Sequence, residues 1–212
     1  MLRGTQIKTG EDAQQYRALM ASFRNELIKQ NYQEVVVPAV WEAKTFQQKI
    51  QAETLGQMWT FKDKGDRDVT LIPEVTAIIQ EQYNNGWAKS MPKPIKIFYE
   101  SKVYRYERPQ LGRYREFTQF GVEVLGDIDN KLELEVKNTL MNLLNSVKLM
   151  YKFTDSVKRG LGYYIADGFE VECSQLGAQK QVAGGGRYKE GIGWAIGIER
   201  LQLALEMNEN VL

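Results

Sequence analysis

Four arginines lie within eleven residues of this 212-residue chain, at Arg105, Arg108, Arg113 and Arg115. A guanidinium group donates paired hydrogen bonds that fit the oxygens of a phosphate or a carboxylate. Just downstream, alternate residues of a strand-like run would share one face: Phe117, Gln119, Gly121 and Glu123. An aromatic ring, an amide and a carboxylate on one face, beside these arginines, indicate a site for a polar, anionic ligand.

The residue types that are missing narrow the chemistry. The sequence has no histidine, which excludes Ser-His-Asp and Cys-His catalysis and histidine-ligated metal sites. Its single cysteine, Cys173, cannot form an internal disulfide or a four-cysteine zinc site, and we expect a small buried apolar residue there. Lys+Arg 28 against Asp+Glu 27 gives a net charge of +1, which argues against an extended basic surface for nucleic acid. Arginine, lysine, carboxylates, tyrosine, backbone groups or an oxygen-bound metal must therefore carry any reaction.

The elements that must position these side chains mix helix and strand without a repeating βα order. The clearest is a hairpin, with strands over 95–108 and 113–125 joined by a turn at 109–112. Apolar periodicity predicts helices over 11–30, 46–56, 75–83, 131–150 and 199–207. Further strands are predicted over 34–37, 59–63, 69–71, 163–165, 169–173, 181–183 and 194–198. This order favours an α+β fold, an antiparallel β-sheet flanked by helices, in one domain spanning residues 1–212.

Local signals add three expectations. Asn84-Asn85-Gly86 is typical of a helix end. Asp129 or Asn130 is suited to cap the following helix. The run 184–186 consists of three glycines and predicts a flexible element.

The hairpin also has an interpretation without function. Glu100, Glu107, Glu116 and Glu123 are interleaved with the arginines, so the hairpin could face solvent and form Arg–Glu pairs across its strands. Periodicity alone leaves both interpretations open.

Ordered sequence blocks carry a family resemblance. Residues 104–110 (Tyr-Arg-Tyr-Glu-Arg-Pro-Gln), 112–117 (Gly-Arg-Tyr-Arg-Glu-Phe) and 119–123 (Gln-Phe-Gly-Val-Glu) resemble motif 2 of the class II histidyl-tRNA synthetases. In the same order, residues 31–38 resemble the dimer-forming motif 1. Residues 71–77 resemble the family's Leu-Arg-Pro-Glu-Gly-Thr loop, and 159–164 its histidine-specific Arg-Gly-Leu-Asp-Tyr-Tyr motif. Residues 183–188 resemble its glycine-rich strand and 193–201 its motif 3, so the resemblance implies the class II catalytic-core fold.

The resemblance implies an ATP site. Arg105 would grip the α-phosphate and orient the attacking carboxylate, and Arg159 would meet the same phosphate from the other side. Arg200 would hold the γ-phosphate near a helix start, where backbone N–H groups favour anions. Phe117 would stack on adenine with Glu107 nearby, and Arg113 would reach the pyrophosphate end. Mg²⁺ would accompany the nucleotide, held largely by ATP and water.

The resemblance also implies an amino-acid site. Glu74 would pair with the substrate's α-ammonium group, with Thr76 beside it. The imidazole ring of histidine would be bound by four residues: Gln119, Glu123, Tyr163 and Tyr164. A buried carboxylate and a tyrosine hydroxyl can together satisfy both ring nitrogens, which gives selectivity.

The sequence departs from the family at four positions. Ile72 replaces an arginine, Val75 a glycine, Thr118 a histidine and Gly162 an aspartate. We expect Val75 to narrow the α-amino site beside Glu74. Residues 127–158 leave room for about one long helix in place of the family's insertion domain, and the anticodon-binding domain is expected to lie outside these residues.

Two functions follow from the resemblance. The first is an enzyme that forms an aminoacyl-adenylate from ATP and an amino acid, with tRNA or another acceptor taking the acyl group. The second is a non-charging paralogue, a histidine-binding regulatory subunit of ATP phosphoribosyltransferase. Either would form a homodimer through the motif 1 region, and a partner subunit could supply missing parts. No apolar stretch reaches the length of a membrane span, so a cytoplasmic protein is expected.

Overall fold

A computed structural model describes residues 1–50, 52–158 and 162–209 of the chain. Within these ranges the strands are β1 (Gln33–Glu34), β2 (Val40–Glu42), β3 (Trp59–Lys62), β4 (Asp68–Leu71), β5 (Ile95–Tyr104), β6 (Glu116–Leu125), β7 (Lys152–Val157), β8 (Gly168–Glu172), β9 (Gln181–Tyr188) and β10 (Gly191–Gly197). The α-helices are α1 (Gly10–Lys29), α2 (Ala43–Gln47), α3 (Ala52–Leu55), α4 (Thr76–Gln82), α5 (Ala88–Ser90), α6 (Asn130–Ser146) and α7 (Ile198–Glu209).

Two sheets organise these elements. Seven strands form the larger one in the order β1-β5-β6-β10-β9-β8-β7, and three form the smaller one in the order β2-β4-β3. In the larger sheet β1 pairs parallel with β5, and the other neighbours pair antiparallel. The predicted α+β architecture is therefore confirmed. No helix among the described residues is long and apolar enough to cross a membrane.

Each face of the central β5–β6 hairpin covers a different apolar core. On one face Phe120, Val122 and Val124 of β6 pack with helices α1 and α6. Helix α1 faces them because its buried residues recur every three or four positions, and its Phe23 ring lies 5.6 Å from that of Phe120. On the other face Ile97 and Tyr99 of β5 pack in a second cluster, together with helix α4. Residues that alternate along one strand are thereby committed to opposite sides of the sheet.

The predicted N-cap of α6 is confirmed. Asp129 has extended backbone, and its Oδ1 accepts a hydrogen bond of 2.7 Å from the N–H of Leu132. Such a cap contributes about 1 kcal/mol to helix stability. Helix α6 and strand β7, which was not predicted, occupy most of residues 127–158.

The hairpin is shorter than predicted. Pairing covers Ile95–Tyr104 with Glu116–Leu125, so the arginines of the connection lie outside the two strands. The connection is supported from the amino terminus, where the carbonyl oxygen of Gly4 accepts a hydrogen bond of 2.7 Å from the N–H of Arg115. Gly4 has a φ of 86°, and a Cβ atom there would lie 2.9 Å from Arg115 Cγ. Glycine is therefore required for this close approach.

The prediction of a flexible glycine run was wrong. Residues 184–186 lie inside β9 and are buried. A Cβ atom on Gly185 would overlap the carbonyl oxygen of Gly193 on β10 and approach Phe169 Cζ to 2.6 Å. These glycines therefore serve close packing in a strand.

Other boundaries also differ. The chain continues past Asn84-Asn85-Gly86 as a π-helical turn (Tyr83–Trp87) and α5, although Gly86 itself has non-helical backbone angles. The helix predicted over 46–56 is replaced by the short helices α2 and α3. In place of the strand predicted over 163–165 there is one isolated bridge, between Tyr164 and Tyr188. A 3₁₀-helix (Ser174–Gln179) precedes β9 and was not predicted, whereas Cys173 is buried as expected.

Candidate functional site

A cleft of about 580 Å³ opens on the face of the large sheet that carries Phe117 and Gln119. Its walls come from the β5–β6 connection, β9, β10 and the start of α7. The cleft brings most of the predicted site residues together: Glu74, Thr76, Arg105, Glu107, Arg113, Phe117, Gln119, Tyr163, Tyr164 and Arg200. Glu123 lies beneath it with 1% of its surface exposed. Arg159, the remaining predicted residue, is outside the described residues.

Arg105 enters the cleft directly after the end of β5. Its Nε donates a hydrogen bond of 2.9 Å to the carbonyl oxygen of Pro73, and its Cζ lies 5.4 Å from the centre of the Phe117 ring. Burial lowers the pKa of this guanidinium, although arginine keeps its charge in proteins. Because its hydrogen-bond partner is neutral, the positive charge remains available to an anion.

Arg200 is held in the same way at the start of α7. Its Nε donates 2.6 Å to the carbonyl oxygen of Gly112, its Nη1 donates 2.9 Å to that of Gln181, and its Nη2 donates 3.4 Å to Gln179 Oε1. These three acceptors are neutral, and burial lowers the pKa of the group. A partly buried cation with neutral acceptors is an arrangement suited to binding a phosphate.

Arg113 differs from the other two arginines. Its Nε lies 2.5 Å from Glu107 Oε2 in an ion pair at the rim of the cleft. Glu107 is 9% exposed. The arginine–glutamate pairing expected of a non-functional hairpin therefore occurs at this one position of the cleft, whereas Glu123 faces the interior.

Glu74 also lines the cleft, with 2% of its surface exposed, and it directly follows Pro73, whose carbonyl oxygen holds Arg105. Its Oε1 accepts a hydrogen bond of 2.8 Å from the N–H of Ala77 in the first turn of α4, and its Oε2 accepts one of 3.3 Å from the Tyr163 hydroxyl. Burial raises the pKa of this carboxyl. A ligand cation close to Glu74 would stabilise the ionised form of this carboxyl group.

Glu123 lies beneath the cleft, where two hydroxyl groups bind its carboxyl group. Thr76 Oγ1 donates 2.6 Å to Oε1, and the Tyr188 hydroxyl donates 2.7 Å to Oε2. Burial raises the pKa of Glu123 to about 8, and the nearby Glu74 acts in the same direction. Gly193 lies opposite on β10, and a Cβ atom there would overlap Oε2. The carboxyl group therefore fits only against glycine.

Aromatic rings and an amide lie close to these carboxyl groups. The rings of Tyr163 and Tyr164 lie 4.7 Å apart, and Tyr163 lies 6.0 Å from Tyr188. The Oε1 atom of Gln119 is buried and has no hydrogen-bond partner among the described residues. An unpaired buried acceptor costs about 1–3 kcal/mol, so a ligand N–H group at this position would be favoured.

Several contacts at the site were missed by sequence reasoning. Tyr188 ends the glycine-rich strand, and its alternation along that strand would have been the signal for its contact with Glu123. The carbonyl groups of Gly112 and Gln181 that hold Arg200 have no side-chain signature. Glu199 was also missed, and its carboxylate accepts hydrogen bonds from the backbone and side chain of Thr118.

Two of the departures from the family pattern lie in the apolar core. Ile72 and Val75 are both fully buried and pack in the apolar cluster with α4. Val75 does not line the cleft, since its side chain packs in this core, and a narrower α-amino site stays a prediction. A Cβ atom on Gly162 would lie 3.4 Å from the carbonyl oxygen of Lys49.

Comparison with known proteins places these features in context. Residues 8–157 match the family model described as histidyl-tRNA synthetase. The histidine–tRNA ligase of Saccharolobus islandicus (strain L.S.2.15) is 39% identical over 172 residues, which are 81% of this chain and 40% of that protein. The chain thus spans about two fifths of the length of the curated relatives it matches.

Solved structures agree on the fold. An apo histidyl-tRNA synthetase from S. aureus superposes with a TM-score of 0.83 at 28% identity, covering 99% of this chain and 70% of that one. A Bacillus halodurans protein described as an ATP phosphoribosyltransferase regulatory subunit/histidyl-tRNA synthetase superposes with a TM-score of 0.81. That likeness has 14% identity and covers 98% of this chain and 82% of the other, so it shows the fold alone.

Proposed function

Because the chain belongs to the histidyl-tRNA synthetase family, we propose that it binds ATP and histidine and joins them into histidyl-adenylate. The observation that carries this proposal is that one cleft combines fixed groups of both charges. Two partly buried guanidinium groups, those of Arg105 and Arg200, are held by neutral acceptors. Two buried carboxyl groups, those of Glu74 and Glu123, lie in or beneath the same cleft.

The charges of these groups complement the charges of the two substrates. Arg105 and Arg200 complement the phosphates of ATP, and the Phe117 ring offers a face for adenine. Glu74 complements the α-ammonium group of the amino acid. Glu123, Gln119, Tyr163 and Tyr164 offer an acidic and aromatic surround for an imidazole ring.

The reaction needs positioning more than proton transfer. An oxygen of the histidine carboxylate attacks the α-phosphorus, a new P–O bond forms, and the bond to the oxygen that bridges the α- and β-phosphorus breaks as pyrophosphate leaves. Negative charge on the phosphoryl oxygens is stabilised by fixed guanidinium donors. Arg105 would supply such donors from within the cleft. Arg159 is assigned the same role from the family resemblance alone. Because this reaction needs little proton transfer, it does not require a histidine side chain.

Magnesium enters the proposal as a companion of the nucleotide. The described part of the chain has no cluster of three or more carboxylate, thiol or imidazole groups suited to ligate a metal. By the family resemblance, the phosphate oxygens of ATP and water would be the main ligands, with the ion adding positive charge at the phosphates. The proposal also includes tRNA as the acceptor of the acyl group and a second copy of the chain as a dimer partner. Because the chain covers only part of its relatives' length, it also includes a further subunit.

The test is ATP–pyrophosphate exchange with each of the twenty amino acids. Histidine should support exchange above the others, and Arg159→Ala should abolish it without unfolding the protein, as checked by circular dichroism. Exchange that is unchanged in Arg159→Ala would refute the role of that residue. No exchange with any amino acid, alongside tight histidine binding, would contradict adenylate formation and favour a regulatory histidine-binding protein.

A further inference from the structure

We propose that Thr118 and Glu199 are positioning residues that hold Arg200 in the orientation needed for ATP. This inference rests on the proposed function and adds a determinant of nucleotide affinity. Glu199 lines the cleft, but its carboxylate is bound by Thr118. Neither residue is expected to contact the substrate. Both act through the start of helix α7.

The Glu199 carboxylate is bound from several sides. Its Oε2 accepts a hydrogen bond of 2.7 Å from the N–H of Thr118, and its Oε1 accepts one of 3.0 Å from Thr118 Oγ1. Lys102 Nζ lies 3.5 Å from Oε1. Glu199 is 6% exposed and Thr118 1% exposed, so these contacts occur in a nearly water-free setting. Hydrogen bonds to a charged group in such a setting are stronger than those between neutral groups.

The direction of the Thr118 hydroxyl follows from its neighbours. The hydroxyl has one proton, and an ionised carboxylate can only accept, so Thr118 donates to Glu199. Tyr16 lies 3.4 Å from Thr118 Oγ1, but its own hydroxyl donates at 2.7 Å to Glu100 Oε1. Helix α1 therefore packs beside the pair without competing for the carboxylate.

Neighbouring residues of one strand and of one helix connect this pair to the cleft. Thr118 lies between Phe117 and Gln119, which face the cleft, while Thr118 faces the opposite side of the sheet. Glu199 precedes Arg200 at the first turn of α7, where successive side chains project about 100° apart. Glu199 thus binds the start of α7 to strand β6 on one side, while Arg200 binds it to Gly112 and Gln181 on the other.

This double attachment fixes Arg200 relative to the strand that carries Phe117. Loss of the Thr118 hydroxyl leaves Oε1 of Glu199 with only the longer contact to Lys102 Nζ, which favours movement of Glu199 and with it the start of α7. The carboxyl groups assigned to the amino acid are held by residues outside α7, since Glu74 and Glu123 are bound by Ala77, Thr76, Tyr163 and Tyr188. Gln119 is adjacent to Thr118 but is held by strand pairing with Ser101 and Gly197. The effect should therefore fall on ATP and spare histidine.

The experiment compares Thr118→Val with Thr118→Ser in the full chain. Valine has the shape of threonine without the hydroxyl, and serine keeps the hydroxyl. Dissociation constants for ATP and for histidine are measured separately by calorimetry, so turnover is not needed. We expect Thr118→Val to weaken ATP binding roughly tenfold, and Thr118→Ser to stay within about twofold of the unchanged protein. Histidine binding should be the same in all three.

A second pair tests that Thr118 acts through Glu199. In a Glu199→Gln background, Thr118→Val should weaken ATP binding by less than it does alone, because the charged acceptor is already gone. If Thr118→Val does not fold, judged by circular dichroism, Thr118→Ala takes its place in both comparisons.

The outcomes separate this inference from the proposal it rests on. Equal ATP affinity in the valine and serine variants would overturn the positioning role alone. A parallel loss of histidine affinity would also overturn it, since that indicates general loosening of the fold. Absence of ATP binding by the unchanged protein would overturn the proposed function, and this inference with it.

Discussion

The guanidinium carbon of Arg105 lies 5.4 Å from the centre of the Phe117 ring, one residue beyond β5 and one residue inside β6. The pair lies at the end of the hairpin where the connection joins the two strands, and the hydrogen bond from Arg105 Nε to the carbonyl oxygen of Pro73 fixes the arginine. A planar cation and an aromatic face at this separation attract each other. The same two groups would meet the α-phosphate and the adenine of one ATP molecule.

Replacing Arg105 by lysine tests the need for a planar donor. Arg105→Lys keeps the charge but loses the fork of donors and the Nε bond to Pro73. We expect the rate of ATP–pyrophosphate exchange to fall by about 10²–10³-fold, the range for losing one preorganised donor at a charged transition state. Arg67→Lys, at an exposed position outside the cleft, is the control and should leave the rate unchanged.

The Glu123 carboxyl predicts a dependence of stability on pH. Its pKa is raised by burial from 4.5 to about 8, so the folded protein binds a proton that the unfolded chain releases between these values. The free energy of unfolding should therefore fall as pH rises from about 4.5 to 8, by at most roughly 1.4 kcal/mol per pH unit for this group.

Urea denaturation at pH 5, 6, 7 and 8 measures this dependence, with Glu123→Gln as the matched variant. Glu74, whose pKa burial also raises, contributes in the same direction and is present in both proteins. The difference between the two curves is therefore assigned to Glu123. Curves of equal slope would contradict a raised pKa at this position.

Gly193 predicts a steric effect on the proposed amino-acid site. In Gly193→Ala the added methyl group would overlap Glu123 Oε2 and lie 2.6 Å from the carbonyl oxygen of Val122. We expect a loss of about 1–3 kcal/mol in the free energy of unfolding and weaker histidine binding, because the carboxyl group must move. Gly86→Ala is the control, since no atom lies within 4 Å of a Cβ built there. Unchanged histidine affinity in Gly193→Ala would show that the carboxyl position does not matter for binding.

The motif 1 segment predicts an interface. Val36 is 85% exposed on the segment that follows β1, where the family resemblance places the dimer contact. A charge at this position would be buried without a partner in a dimer, so Val36→Asp should produce monomers by light scattering at micromolar concentration. Leu134→Asp makes the same change at an exposed position on α6 and should leave the dimer intact. A monomeric unchanged protein would contradict the interface itself.

Features with a repeating pattern could be predicted from the sequence. Strand alternation correctly placed Phe117 and Gln119 on one face of β6 and Phe120 on the other, because the period of two is a property of every strand. The ends of the hairpin differ from the prediction. Strand pairing stops at Tyr104 and Glu116, where the arginine-rich connection begins. The resemblance of residues 193–201 to motif 3 predicted that Arg200 lies in the site, and Arg200 lines the cleft. No local sequence pattern indicates the backbone carbonyl groups that hold it.

Features that depend on distant contacts could not be predicted. The three glycines of β9 have the composition of a loop, and only the approach of Gly193 and Phe169 explains their place in a strand. The place of the Val75 side chain in a neighbouring core cluster was not predicted either. Packing partners far apart in sequence decided both cases.

The support that Gly4 gives to Arg115 braces the β5–β6 connection, whose Glu107 and Arg113 line the cleft. Arg115 in turn donates from Nε to the carbonyl oxygen of Glu107 at 3.1 Å, and its Cζ lies 4.0 Å from the centre of the Tyr106 ring. Trimming or tagging the segment ahead of α1 should therefore disturb this connection, and under the proposed function it should lower the affinity for ATP.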